Sequence, residues 1–148
     1  MRTGQQYLQS LADGRAVFLD GARVGDVSRH PAFQGIAATV AAMYDHAADP
    51  ANGMIHTAPE TGAEANKVFM IPRSQSDLRE RRRAIEQWAY LSRGFVGRSP
   101  DHVGGFLAGF ASAPAVFNQA GRPFGENVSR FYRQVVKESL FVTYVIIP

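Results

Sequence analysis

The sequence predicts a mainly α-helical domain with small β-hairpins. Three observations carry that expectation. Apolar residues recur at helical spacing through several long stretches, most clearly from about Asp77 to about Arg93. The β-prone runs are short and bounded by turn signals such as Asp20-Gly21 and Pro59-Glu-Thr-Gly62. At 148 residues and 45% hydrophobic content the chain is long enough for one packed domain, and no segment has the run of apolar residues that a membrane span needs.

The elements follow in order. Thr3-Gly-Gln-Gln6 has capping-box spacing before Tyr7, Leu8 and Leu11, so a short helix is expected to about Asp13, where Asp13-Gly14 stops it. Ala16–Leu19 and Ala22–Val24 flank Asp20-Gly21, a two-residue hairpin signal. A second helix is expected from Pro31 or Ala32 to about Ala47, with Phe33, Ile36, Val40 and Met43 or Tyr44 on one face. Met54–Thr57 and Lys67–Ile71 read as two further strands, and Pro72 ends the second.

Ser74 or Ser76 then caps the third helix, whose stripe is Leu78, Ile85, Trp88, Ala89 and Leu91. Gly94–Gly97 breaks it. The next helix starts at Pro100, with Val103, Phe106, Leu107 and Phe110 as its core face. Gly104, Gly105 and Gly109 each weaken that helix by about 1 kcal/mol relative to alanine, which points to close approach by another backbone, a flat ligand or plain packing. Ala115–Ala120 is a short helical stretch, and a last helix covers about Gly125 to Ser139 with Val128, Phe131, Tyr132 and Val135 inward. Leu140–Ile147 reads as a strand. Such a strand either pairs with an early hairpin or opens a β-domain that continues beyond Pro148.

Composition narrows the function classes. The net charge is +3, and the base is almost all arginine. The run Arg79-Glu-Arg-Arg-Arg83 lies in a predicted helix, where Glu86 can pair with Arg82 or Arg83, so a solvated face is expected rather than nucleic-acid binding. The absence of cysteine excludes disulfides, thiolate catalysis and cysteine-held clusters and fits a cytoplasmic protein. Met1-Arg-Thr-Gly-Gln-Gln lacks the apolar region of a signal peptide. Neither His30, His46 and His56 nor Asp45, His46 and Asp49 makes a convincing ligand set, so no metal is expected, and capping or packing is the expected job of His30. No P-loop, GxGxxG or nucleophile elbow is present. Trp88 and Phe106 are expected in the core rather than as a flavin platform.

One segment concentrates chemistry: Gly97-Arg98-Ser99-Pro100-Asp101-His102. Ser99 can cap the helix, Pro100 suits its first position, and Asp101 favours the positive end of the dipole. A helix start beside a guanidinium is suited to an anion or a phenolate.

From Met1 to Pro148 the chain resembles the N-terminal third of the 4-hydroxyphenylacetate 3-hydroxylase family, the oxygenase components of two-component flavin monooxygenases. The landmarks are Thr3–Leu11, Asp20–Val24, Asp26–Phe33, Tyr44-Asp45, Pro72-Arg-Ser74, Asp77-Leu78, the Trp88 helix, Gly97–Asp101 and the final strand. The resemblance implies an acyl-CoA-dehydrogenase-like architecture. Residues 1–139 would be its N-terminal helical domain with β-hairpins, and 140–148 the first strand of a missing middle β-domain. It further implies reduced FAD supplied by a separate reductase, a C4a-hydroperoxyflavin, ortho-hydroxylation of a phenolic substrate, and a tetrameric complete protein.

The resemblance also implies site residues. Arg98 would face flavin and substrate and stabilise a phenolate. Substrate binding would fall to Arg98, Ser99, Pro100, Asp101, His102 and Tyr144, and flavin contact to Tyr144, Val145, Ile146 and Ile147. The best-known members have tyrosine where this chain has His102 and histidine where it has Tyr144. The two types are exchanged, so Arg98, His102 and Tyr144 are the expected catalytic set, with His102 as base. The exchange argues for a phenol other than 4-hydroxyphenylacetate, larger or carrier-bound. An iron–sulfur dehydratase branch of the family is disfavoured by the lack of cysteine. The alternative is a stand-alone, non-catalytic interaction or remnant domain.

Overall fold

The computed structural model describes residues 1–96, 101–119 and 121–144, and the chain divides into two compact units: Arg2–Asn52, and Gly53–Pro148 with Met1. Its described elements are helices and two separate two-stranded antiparallel hairpins, in agreement with the predicted class.

In the Arg2–Asn52 unit, α1 (Gly4–Ser10) starts on the expected capping box, with Thr3 and Gln6 bonding each other's backbone N–H. It is shorter than predicted and ends at Leu11, ahead of Asp13-Gly14. Its partner is α2 (Gln34–Ala48). The two backbones touch at Gly4, where any Cβ would collide with the Ala41 carbonyl. The Gly4 N–H donates to Asp45 Oδ1 at 2.8 Å, and Tyr7 stacks on Tyr44 at 5.2 Å. That close approach selects the inner face of α2. Ala37 and Ala41 are buried with Val40, Met43, Tyr44 and Ala47, while Ile36, predicted inward, is 49% exposed. Small residues let α1 approach; an isoleucine there would hold it off.

The start of α2 also differs. His30 organises a turn that occupies Pro31 and Ala32: its Nδ1 accepts from the Ala32 N–H, and its carbonyl accepts from Phe33 and Gln34. His30 thus shapes the turn before α2 and does not cap the helix itself, whose N-cap is Phe33 with no side-chain cap; of the capping or packing expected of it, the side-chain cap is not formed. The hairpin β1 (Val17–Leu19) and β2 (Ala22–Val24) has Leu19 opposite Ala22. Asp20 and Gly21 both take positive φ, as a two-residue turn of matching twist requires. Asp45 and Asp49 are engaged locally, Asp45 at Gly4 and Asp49 Oδ1 on the Ala51 N–H.

In the second unit, β3 (Ile55–Thr57) pairs with β4 (Glu64–Asn66), Ile55 opposite Asn66. The predicted strand Lys67–Ile71 is not formed. Asn66 Oδ1 accepts from the Val68 N–H and turns Lys67–Phe69 into a single 3-10 turn. A residue that bonds its own backbone two positions on ends a strand, whatever the β-propensity after it.

Next comes α3 (Gln75–Leu91), capped by Ser74 in a box with Asp77. Its buried contacts are Ala84 and Trp88; Leu78 and Ala89, predicted inward, are exposed. Arg82 pairs with Glu86 at 2.7 Å on the outer face. After α4 (Asp101–Ser112) a 3-10 turn spans Pro114–Asn118, and α5 (Phe124–Glu138) follows. Tyr132, Val135 and Val136 form the inner face of α5; Phe131, predicted inward, is half-exposed. Ser139 closes α5 at φ 50°, and the Leu140 N–H returns to the Val135 carbonyl. No strand pairing is present over Leu140–Tyr144, and Val145–Pro148 lie outside the described residues.

Candidate functional site

The 3-10 turn Lys67–Phe69 is the anchor on which the site is built. Its Val68 carbonyl accepts from Arg81 Nε of α3 at 3.0 Å. Its Phe69 carbonyl accepts from the Tyr132 hydroxyl of α5 at 2.8 Å. Burial pushes the Tyr132 phenol well above its ordinary value, so it stays a donor. The third helix, α4, meets the same turn through glycine. A Cβ on Gly104 would lie 2.9 Å from the Val68 carbonyl oxygen, and one on Gly105 would touch the Arg81 guanidinium. Of the three causes offered for these glycines, close backbone approach explains Gly104 and side-chain packing explains Gly105. Gly109 has nothing within reach of a Cβ among the described residues.

Docking through Gly104 sets the rotation of α4. Val103, Gly104, Leu107 and Ala108 face inward. His102 is therefore exposed, and Phe106 and Phe110 are 48% and 45% exposed. The sequence pattern places both phenylalanines in the core; the glycine contact turns them outward. Trp88 is buried as predicted.

The outward stripe is a continuous row of rings. His102 meets Phe106 edge-on at 4.4 Å, Phe106 stacks with Phe110 at 6.0 Å, and Phe110 meets Phe117 edge-on at 5.2 Å. At the other end the Tyr144 ring lies 5.5 Å from the His102 ring, tilted by 38°. The left-handed cap at Ser139 reverses the chain after α5 and lets residue 144 reach the first turn of α4.

Two expected site residues far apart in sequence, His102 and Tyr144, are thus brought together. Asp101 opens α4. Arg98, Ser99 and Pro100, and the strand residues Val145, Ile146 and Ile147, lie outside the described residues. The sequence reading missed the anchor turn and the outward aromatic row. Asn66 two residues before Val68, and a helix with glycine at 104 beside phenylalanine at 106 and 110, were the signals that could have found them.

The arrangement offers an imidazole on the first turn of α4 with a phenol beside it, brought in by the segment after α5, and exposed aromatic surface beyond. A neutral imidazole nitrogen can take a proton from a bound hydroxyl, and the positive end of the helix favours the resulting anion. A flat, largely apolar ring system such as isoalloxazine fits an exposed aromatic surface of this kind.

A model of the family described as 4-hydroxyphenylacetate 3-hydroxylase N terminal matches residues 3–148. The chain belongs to the 4-hydroxyphenylacetate 3-hydroxylase family. Among its curated relatives is a Streptomyces globisporus monooxygenase named for (3S)-3-amino-3-(3-chloro-4-hydroxyphenyl)propanoyl on a peptidyl-carrier protein. It is 43% identical over 141 residues, which is 94% of this chain and 26% of the relative. The Klebsiella oxytoca 4-hydroxyphenylacetate 3-monooxygenase oxygenase component is 36% identical over 98% of this chain and 28% of its own length. A crystal structure of a family oxygenase component complexed with FAD and 4-hydroxyphenylacetate superposes at a TM-score of 0.85 with 31% identity, covering 95% of this chain and 29% of that one. The chain spans under a third of each of these relatives. With them it has the mainly helical fold of the family's N-terminal region. No helix among the described residues is long and apolar enough to cross a membrane.

Proposed function

We propose that this chain is the N-terminal part of a reduced-FAD-dependent monooxygenase that hydroxylates a phenol ortho to its hydroxyl group. The observation that carries the reading is the pairing of His102 with Tyr144, with ring centroids 5.5 Å apart, on a family fold. Residues 1–139 form its helical N-terminal domain and 140–148 lead into a middle β-domain. FAD arrives reduced from a separate reductase component, and the complete protein works in the cytoplasm as a tetramer.

Bound reduced FAD supplies the activated oxygen. The chain's own residues manage the phenol. His102 accepts the phenolic proton, and Tyr144 hydrogen-bonds the same oxygen and fixes its direction. Arg98 supplies a positive charge for the phenolate, which attacks an electrophilic oxygen far better than the phenol. Tyr144, Val145, Ile146 and Ile147 face the flavin. Ser99 and Asp101 offer backbone N–H groups to the phenolate, and Pro100, which has none, fixes the start of the helix beside it. The phenol need not be 4-hydroxyphenylacetate. The relative that acts on a carrier-bound chlorohydroxyphenyl group favours a substrate presented on a carrier protein.

The test is His102→Ala in the complete oxygenase, followed as hydroxylated product per reduced FAD oxidised. Product should fall about 100-fold while flavin oxidation by oxygen continues at its normal rate. Equal loss of both, or of neither, would remove His102 from the chemistry.

A further inference from the structure

The aromatic row on α4 has a second property, its lack of charge. From Val103 to Gly121 the sequence carries no ionisable side chain. Phe106 and Phe110 are half-exposed on the stripe that begins at His102, and Phe117 extends it. By helical rise Phe106 and Phe110 stand about 6 and about 12 Å beyond His102 along the axis. A phenol whose hydroxyl sits at His102 and Tyr144 can lay its remainder along this row.

Three physical terms then act on the far end of that substrate. Ring faces carry the negative part of the aromatic quadrupole and repel an anion. The row runs toward the C-terminus of α4 at Ser112, the negative end of the helix dipole. Arg81 lies on the Gly105 side of α4 with its Nε bonded to the Val68 carbonyl, and the row itself carries no cation, so a carboxylate taken there from water keeps much of its desolvation cost. The same helix that favours a phenolate at its first turn therefore disfavours a carboxylate at its last.

We infer that Phe106 and Phe110 are specificity-determining residues that select phenols whose far end is uncharged, an amide or thioester, over phenols with a free carboxylate. This rests on the monooxygenase reading above and names the substrate class of the same site.

The test uses the complete oxygenase with reduced FAD and two probes of equal size, 3-(4-hydroxyphenyl)propanamide and 3-(4-hydroxyphenyl)propanoate. The wild type should hydroxylate the amide with at least tenfold higher kcat/KM. Phe110→Arg, at a half-exposed position that accepts a long side chain, should move the ratio at least tenfold toward the acid. Phe110→Leu should keep the preference for the amide. Equal use of both probes by the wild type, or an unchanged ratio in Phe110→Arg, would overturn the inference and leave the monooxygenase reading standing. Hydroxylation of neither probe, nor of any neutral 4-alkylphenol, would overturn both.

Discussion

Two glycine contacts, one in each unit, look alike and lead to different surfaces. At Gly4, α1 lies against Ala41 of α2. Neighbouring groups there are satisfied locally: the Gly4 N–H by Asp45, the helix start by Thr3 and Gln6, and Tyr7 by Tyr44. At Gly104, α4 lies against the Val68 carbonyl, a close approach but a looser one than at Gly4. The opposite side of that helix keeps an exposed imidazole, two half-exposed phenylalanines and a glycine, Gly109, with open space beside it. The first contact completes a packed pair. The second aims a row of rings outward, which is what a site needs and a core does not.

The largest expected effect that would break this comparison is at Gly4. Gly4→Ala puts a Cβ into a backbone carbonyl that cannot move aside, and should cost about 3 kcal/mol in denaturant unfolding. Gly104→Ala meets the Val68 carbonyl at 2.9 Å and should cost about 2 kcal/mol by the same measurement. Gly109→Ala is the control. With no neighbour to strike among the described residues, it should stabilise the chain by about 0.5–1 kcal/mol. A loss at Gly109 equal to that at Gly104 would show that the outward side of α4 is packed and not open.

The anchor turn gives a further test. Tyr132→Phe leaves the buried Phe69 carbonyl without its donor and should cost about 1–2 kcal/mol. Because folding raises the Tyr132 phenol above its ordinary value, its contribution is whole below pH 10 and declines as pH rises beyond it. Tyr132→Phe should therefore flatten part of the alkaline fall in Tm.

The smallest effect is expected at His56. Burial lowers its affinity for protons, and its Nε2 has no hydrogen-bond partner among the described residues. The unfolded chain then binds the proton more tightly, so stability is present above about pH 6.5 and is lost as pH falls. His56→Gln should reduce the drop in Tm between pH 7 and pH 5; an unchanged drop would locate the acid sensitivity elsewhere.

Much of the fold was legible because it rests on local chemistry. The capping box at Thr3, the Asp20-Gly21 turn and the serine cap of α3 are decided within four residues; the first two formed where expected, and of Ser74 and Ser76 it is Ser74 that caps. What could not be read was the rotation of a helix about its axis. Ile36, Leu78, Phe106, Phe110 and Phe131 all belong to apolar stripes in the sequence and all stand exposed. In α2 and α4 the buried side is chosen by where small residues admit another backbone, Ala41 to Gly4 and Gly104 to Val68. That choice is made by tertiary contact. The strand lost at Lys67–Ile71 has a local cause, the Asn66 side chain, outweighed in the sequence pattern by the Val, Phe and Ile that follow. The candidate site residues were picked out through the resemblance, and their roles remain part of the proposal. The proximity of His102 and Tyr144 needed the αL reversal at Ser139.

The central claim is that His102 and Tyr144 act on one phenol oxygen. A double-mutant cycle in the complete oxygenase, His102→Gln and Tyr144→Phe, read as hydroxylated product per reduced FAD oxidised, tests it most directly. The account predicts that each single variant loses about tenfold or more and that the double variant is scarcely worse than the poorer single. Losses that multiply independently, or a Tyr144→Phe enzyme with undiminished product, would contradict it.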